Sequence, residues 1–348
     1  MRASENGEKQ EKVKRMAWTI LSAFNTFRTT VVDLSEEQDA AADLSSFSIL
    51  SRLKELAEDE PSFPRLKGEA LRFGSFARKT KCRPLDDIDL LIVLDGTHAE
   101  AQAIDYDRFG HELRATAGPL LRFTDSLTDK VSSFKILDSI RDHLKDLRDI
   151  RADSVNRRLQ AVRLQLDFRD WNFDLVPAVP IYAGGVLDGY LIPNGNGDWW
   201  KTDPRLDHQQ LKKAVERHGG LILRLIRIIK YWNASTSPRL GSYHLETLVI
   251  KVMAGEGYLL TSDLPKLLET CFERLKKVVF KPCPDPKGIG PDLDLGVDWL
   301  KRTQFSKNVC TAETQAWMAN NKERDGETEM AFWWWQRLFG ETFPKYGS

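Results

Sequence analysis

The sequence predicts an α+β protein: a mixed sheet flanked by helices, followed by a mostly helical lobe. Three observations carry this. Between residues 86 and 180, apolar stretches show the two-residue alternation or the unbroken hydrophobicity of strands. From about residue 205 onward, apolar residues recur at helical spacing instead. Between the two lies "IPNGNGDWWKTDPRLD", rich in Gly, Asn and Pro, which marks a linker. The expected division is 1–198 for the mixed unit, N-terminal helices included, and 199–348 for the helical one.

In "EKVKRMAWTILSAFNTFRTTVV", Val13, Met16, Ile20, Ala23, Phe24 and Phe27 fall near one helical face. A second helix is expected over "SSFSILSRLKELAED", with Ser45 or Ser46 as its N-cap. "DDIDLLIVLDG" reads as a buried strand stopped by the Asp95-Gly96 turn signal. The stretch from about 98 to 158 is charged and mostly helical in pattern. "QAVRLQLDF" places Val162, Leu164, Leu166 and Phe168 on one strand face. "WNFDLVPAVP" alternates Trp171, Phe173 and Leu175 until Pro177, where the strand is expected to stop. The remainder, from "LDHQQLKKAVERHGGLILRLIRIIKYWNAS" to "EMAFWWWQRLFGETF", is chiefly helix.

Composition narrows the class. With 348 residues, 41% hydrophobic and 29% charged, the chain is a globular protein rather than a disordered one. No apolar run reaches a membrane span, and "MRASENGEKQEKVKR" has no apolar core of a leader, so a cytoplasmic location is expected. The four cysteines form no Cys-x-x-Cys pair and read as free thiols. A net charge of +0 argues against constitutive binding of long DNA.

The chemistry is concentrated in "LRFGSFARKTKCRPLDDIDLLIVLDG". On a strand, Asp87 and Asp89 point to the same face while Ile88, Leu90 and Ile92 point to the other. Two adjacent carboxylates raise each other's pKa unless a cation lies between them, and Mg²⁺ suits such a site when phosphates complete its shell. Asp174, inside an otherwise apolar strand, is the candidate third carboxylate; it would allow a second ion. Gly74 permits close backbone approach to an anion, and the Ser75 hydroxyl can donate to phosphate. The Asp-x-Asp spacing alone is uninformative, because Asp105/Asp107 and Asp292/Asp294 repeat it. The order has weight: Gly-Ser, a basic loop with Arg78, Lys79 and Lys81, Asp-x-Asp on a strand, and a later third Asp.

That order, "FGSFARKT...DDIDLLIVL...FDLVPAVP", resembles the polymerase-β-like nucleotidyltransferase superfamily. More narrowly it resembles the bacterial cGAS/DncV-like nucleotidyltransferases (CD-NTases), which make cyclic di- or trinucleotide messengers in anti-phage defence. "LIRIIKYWN" followed by "GSYHLE" is similar to the helical-domain motif of those enzymes and of the 2′-5′ oligoadenylate synthetases. "DWWKTDP" and "WWWQRLFGETFP" are also similar to CD-NTase sequence. The resemblance implies two Mg²⁺ ions, or Mn²⁺, on Asp87, Asp89 and Asp174, and NTP substrates with ATP among them. It implies that Gly74 and Ser75 hold the β- and γ-phosphates, that Lys230 and Ser242 contact the same triphosphate, and that Tyr243 stacks on a base. It further implies a cyclic-nucleotide-responsive effector and an operon-encoded ubiquitin-like conjugation enzyme acting on the C-terminus, "PKYGS".

Each residue also has a plain structural reading. Lys230 suits a snorkelling lysine, Ser242 an N-cap, Tyr243 and His244 packing, and Trp333 to Trp335 helix packing. Trp171 and Asn172 are further candidate base readers. Lys79 stands where the family loop commonly has Gly. Linear oligonucleotide synthesis, nucleotidylation of RNA or protein, and an inactive nucleotide-binding scaffold are the competing functions.

Overall fold

The computed structural model describes residues 19–104, 107–146, 152–254 and 263–347. Val13, Met16, Asp105 and Ser348, named above, lie outside these residues. Helix α1 (Ile20–Phe27) starts at a capping box in which the Thr19 and Ser22 side chains each bond the other's backbone N–H. One π turn over 28–32 carries it to Val32. Helix α2 (Glu36–Asp59) is capped in the same reciprocal way by Ser35 and Gln38. It therefore starts well before the expected Ser45 or Ser46. Those two hydroxyls lie inside the helix and donate to the carbonyls of Ala41 and Ala42, 2.7 Å each.

Among the described residues the sheet has nine strands. Its main path runs β1 (Leu71–Phe73), β2 (Asp87–Val93), β7 (Asn172–Ala183), β8 (Val186–Pro193), β9 (Trp199–Thr202), β4 (Asp107–Ala115) and β3 (Ala99–Ile104). β5 (Ala152–Arg158) and β6 (Ala161–Leu166) branch from it through a β6–β7 pairing. Three expectations are corrected here. The stretch after 98 is not mostly helical: β3 and β4 form an antiparallel hairpin, and among its described residues α4 (Ser133–Asp146) is the long helix. "AEAQAI" and "HELRA" favour helix locally, but pairing with β9 and burial of Leu113 and Ala115 outweigh that preference. The stretch assigned to a linker contains β9, whose Trp199 is fully buried and donates from Nε1 to the Val131 carbonyl at 2.9 Å.

Nor does Pro177 stop β7. The Leu94 N–H bonds the Ala178 carbonyl and the Asn172 N–H bonds the Asp86 carbonyl, so even-numbered residues of β7 face β2. Odd-numbered residues face the other flank, where β6 last pairs at Leu175 and β8 first pairs at Val179. Pro177 falls in the gap, and its missing N–H costs no ladder bond.

β2 and β7 run parallel, with Asp87 opposite Asn172 and Asp89 opposite Asp174. Their sides differ sharply. Ile88, Leu90 and Ile92 join Phe173, Leu175 and Val179 in the main core against α2 and α4. On the other face, Leu91, Val93, Val176 and Ala178 form a smaller apolar cluster. The carboxylates share that second face, at the strand ends nearest Asp87.

The C-terminal helices are α5 (Pro204–His218), α6 (Leu221–Ala234), α7 (Ser242–Ala254), α8 (Leu264–Val278), α9 (Trp299–Arg324) and α10 (Thr328–Phe339). They share one core, and α1 belongs to it through Ile20, Ala23, Phe24 and Phe27. Phe24 packs edge-on against Trp335 (4.8 Å between centroids) and Phe343 (5.0 Å). Trp335 is fully buried while Trp333 is partly exposed, so the "WWW" run serves packing. Among the described residues no helix is long and apolar enough to cross a membrane, and all four cysteines are free thiols. Phe24→Ala is expected to cost about 3–5 kcal/mol of unfolding free energy, read by denaturant titration followed at the tryptophans.

Candidate active site

Gly74 follows β1 directly and opens the short helix α3 (Gly74–Ala77) with φ of 70°. The antiparallel register sets Phe73 opposite Asp89. A Cβ on residue 74 would lie 1.8 Å from Asp89 Oδ2, so only glycine fits, for both its dihedral and this approach. The Gly-Ser turn and the second carboxylate of the Asp-x-Asp pair are thus one local structure.

The three expected carboxylates share one face of the β2–β7 pair, each with a different environment. Asp174 lies opposite Arg163 of β6, which donates from Nε to Oδ1 at 2.8 Å and from Nη2 to Oδ2 at 2.7 Å. Asp87 accepts from Lys81 Nζ at 2.5 Å, and the same ammonium pairs with Asp86. Burial works against the charge of Lys81, but Asp87 and Asp86 outweigh it and hold its pKa above the usual lysine value. Asp89 has no cationic partner among the described residues. Burial, then the neighbouring Asp87 and Asp174, push its carboxyl up to about 7.

Among the described residues no group of three His, Cys, Asp or Glu side chains converges into a ready ion site, since Arg163 spans Asp174 and Lys81 caps Asp87. The donor set still fits a hard, oxygen-seeking cation. It is all carboxylate, and one member is held in a glycine cradle with no ion pair of its own among the described residues.

Beside the carboxylates lies a cleft of about 380 Å³ between the sheet and the helical lobe. Ser75 and Lys81 line one side; Lys230, Gly241 and Ser242 line the other. The structure thus brings Ser75, Lys230 and Ser242 together. Asp87, Asp89, Asp174, Gly74 and Tyr243 stand outside this lining, and Lys81 links it to Asp87. Lys230 is buried, donating to the Thr80 carbonyl at 2.8 Å with Glu246 at 3.8 Å. Burial lowers its pKa and Glu246 opposes that shift. Tyr243 lies between cations, with Arg78 5.0 Å and Lys287 4.7 Å from its ring centroid. Its hydroxyl donates to Asp207, and burial together with that carboxylate holds the phenol well above its usual pKa.

The remaining candidates sit in structural settings. Trp171 is packed in the main core, so it is not placed to read a base, with Arg169 5.0 Å above its ring. The Asn172 side chain donates to the Asp86 carbonyl at 3.1 Å. His244 is buried. Asp294 bonds the Cys283 N–H and Arg302, which gives the Asp-x-Asp at 292 a structural role.

Sequence reasoning missed Glu246. It is buried on α7 and accepts from Arg78 Nε at 2.8 Å and Thr80 Oγ1 at 2.7 Å. On α6, Arg227 donates to the Lys79 carbonyl at 2.7 Å and to Asp33 at 2.6 Å. The helical lobe therefore grips the loop 78–80 that follows the Gly-Ser turn. The available signal was a carboxylate on the buried face of an apolar helix. Arg163 was missed likewise: it is the charged residue between Val162 and Leu164.

No protein-family model matches the chain. It is 32% identical to a probable cyclic nucleotide synthase of Bacillus cereus (strain VD146), over 95% of this chain and 99% of that protein. A cyclic AMP-AMP-AMP synthase of Acinetobacter sp. (strain ATCC 27244 / 9458) is 26% identical over 61% of each chain. Among solved structures, Vibrio cholerae DncV cyclic AMP-GMP synthase with a linear intermediate superposes with a TM-score of 0.68 at 10% identity, covering 94% of this chain and 97% of that one. E. coli MS115-1 CdnC in complex with HORMA-deltaN gives 0.66 at 18% identity, covering 92% and 97%. A carboxylate-bearing mixed sheet facing a helical lobe across a cationic cleft is the make-up of a nucleotidyltransferase. The chain belongs to the cGAS/DncV-like nucleotidyltransferases, the CD-NTases.

Two measurements follow from the local physics. Asp89 ionises near 3.8 when unfolded and near 7 when folded, so its contribution to stability falls as pH rises from about 4 to about 7. Asp89→Asn is expected to stabilise the chelator-treated protein by about 1–3 kcal/mol at pH 8, with the gain shrinking below pH 7 and vanishing near pH 4 in thermal melts. Lys79 occupies the left-handed region with φ of 57°, and its side chain is exposed. Lys79→Gly is expected to raise the unfolding free energy by about 0.5–1 kcal/mol, measured by denaturant titration.

Proposed function

We propose that the protein is a template-independent synthase that joins NTPs, ATP among them, into a cyclic di- or trinucleotide with release of pyrophosphate. The observation that carries this reading is the register placing Asp89 beside Asp174, with Asp87 two residues along the same face, next to a cationic cleft. The similarity to the Bacillus cereus relative along nearly the whole chain supports the choice of product class.

In this reading Asp87, Asp89 and Asp174 hold two Mg²⁺ ions, or Mn²⁺, which supply charge neutralisation of the donor triphosphate and acidify the acceptor hydroxyl. The chain's own groups do the rest. Backbone N–H groups at Gly74 and the Ser75 hydroxyl bind the β- and γ-phosphates, where glycine allows the close approach. Lys230 and Ser242 bind the same triphosphate from the opposite wall, Lys230 as a point charge. Asp174 takes the proton from the acceptor ribose hydroxyl once one of its two Arg163 bonds gives way. Tyr243 stacks on a base once one cation beside its ring moves aside, a contact worth roughly 1–3 kcal/mol and tolerant of base identity. Attack of that hydroxyl on the α-phosphorus forms the new phosphodiester and expels pyrophosphate. A final intramolecular attack of the terminal ribose hydroxyl on the α-phosphorus of the chain's own 5′-triphosphate closes the ring and expels a further pyrophosphate.

The cellular setting belongs to the same proposal. The cyclic product activates an effector in anti-phage signalling, and a ubiquitin-like conjugation enzyme acts on the C-terminal residues. Incubating the protein with four NTPs and Mg²⁺ or Mn²⁺ should yield phosphatase-resistant cyclic products by mass spectrometry. A purely linear ladder would instead favour an oligonucleotide synthase. Asp87→Ala combined with Asp89→Ala is expected to reduce product by at least about 10³-fold. Wild-type product levels from that variant would sink the assignment.

A further inference from the structure

The cations around the cleft are not equally available. Lys81 is held by Asp86 and Asp87, and Lys230 by the Thr80 carbonyl and Glu246. Arg83 donates from Nη1 to the Thr30 carbonyl. Arg239 lines the same cleft, is exposed, and has no ion-pair or hydrogen-bond partner among the described residues. An arginine whose five donors are uncommitted, on the wall of a cleft already lined by other cations, is suited to an incoming polyanion.

The segment that carries it is braced. Asn233, buried at the end of α6, donates from Nδ2 to the Leu240 carbonyl at 2.9 Å and accepts from the Leu240 N–H at 3.0 Å. Asn308 of α9 donates to the Ser237 carbonyl at 3.0 Å. Leu240 itself is buried in the helical core. Arg239 is therefore presented from a connection between α6 and α7 that is fixed on both sides, two residues before Gly241-Ser242. Its backbone is ordered before a ligand arrives, while its side chain spends no protein contact on binding.

We propose that Arg239 is a further triphosphate-binding residue, and that its guanidinium contacts the phosphate chain of the nucleotide seated between Ser75 and Ser242. The proposal rests on the reading of the cleft as the nucleotide site. It also divides the work on the helical side: Lys230 is a strut to the loop 78–80 as well as a charge at the cleft floor, whereas Arg239 is free to serve the ligand alone.

Isothermal titration of the full chain with Mg²⁺-ATP and with inorganic tripolyphosphate tests this. Arg239→Met is expected to weaken both by about tenfold, and Arg239→Lys by about two- to threefold. In turnover, Arg239→Met should raise the KM for ATP with kcat changed less than about twofold. The melting temperature should be unchanged, because no intramolecular bond is lost. Unaltered affinity in Arg239→Met overturns the proposal while leaving the nucleotide site in place. Weakened ATP binding with unaltered tripolyphosphate binding also overturns it, because the contact would then be to base or ribose. A wild-type protein that binds neither probe would overturn the reading of the cleft, and the proposal with it.

Discussion

Like charge concentrated on a half-buried sheet face is the constraint around which the molecule is arranged. Asp87, Asp89 and Asp174 are set side by side by the parallel register of two central strands whose other face is packed apolar. Desolvation and repulsion make that arrangement unfavourable by itself, and they are what push the Asp89 carboxyl up. Nearby features compensate in part: Arg163 spans Asp174 and Lys81 caps Asp87. Asp89 has no ion pair of its own among the described residues and is pressed against Gly74. A site stabilised at two carboxylates and destabilised at the third is suited to a ligand that brings positive charge.

A second constraint is the grip of the helical lobe on the loop after the Gly-Ser turn. Arg227 and Lys230, one turn apart on α6, donate to consecutive carbonyls at Lys79 and Thr80. Glu246 on α7 takes the Arg78 guanidinium and the Thr80 hydroxyl. Arg78 and Glu246 are both buried, so removing one leaves the other uncompensated, a cost of about 3–5 kcal/mol for a buried ion pair. The turn that carries Ser75 is therefore held from both lobes. α1 adds a third tie by placing N-terminal aromatic residues in the C-terminal core.

These ties give the cleft a fixed wall and a free one. On the sheet side the turn is locked by glycine geometry and by the lobe. On the helical side, Asn233 braces the segment before α7 while the Arg239 side chain stays unpaired. Order in the backbone with freedom in the side chain is a low-entropy way to present a charge to a phosphate chain.

Much of this was legible in the chain itself. The period-two pattern at 87–93 determined which side of the strand carries carboxylates and which carries Ile88, Leu90 and Ile92. Asp174 was visible as a lone charge in an apolar strand, and the Gly74-Ser75 pair as a turn. The helical lobe was plain from its 3.6-residue period. Local preference misled where pairing supplied the larger energy: "AEAQAI" became a strand in a hairpin, and Trp199 turned an apparent linker into β9. Pro177 passed unnoticed by the sheet because it falls where one neighbour has ended and the next has not begun. Tertiary structure alone decided that Asp89 sits opposite Asp174, that Arg163 bonds Asp174 while Glu246 bonds Arg78, and that Lys230 is committed while Arg239 is free. Such pairings join residues far apart in sequence, and a charge in a sequence does not reveal its partner until the chain has folded around it.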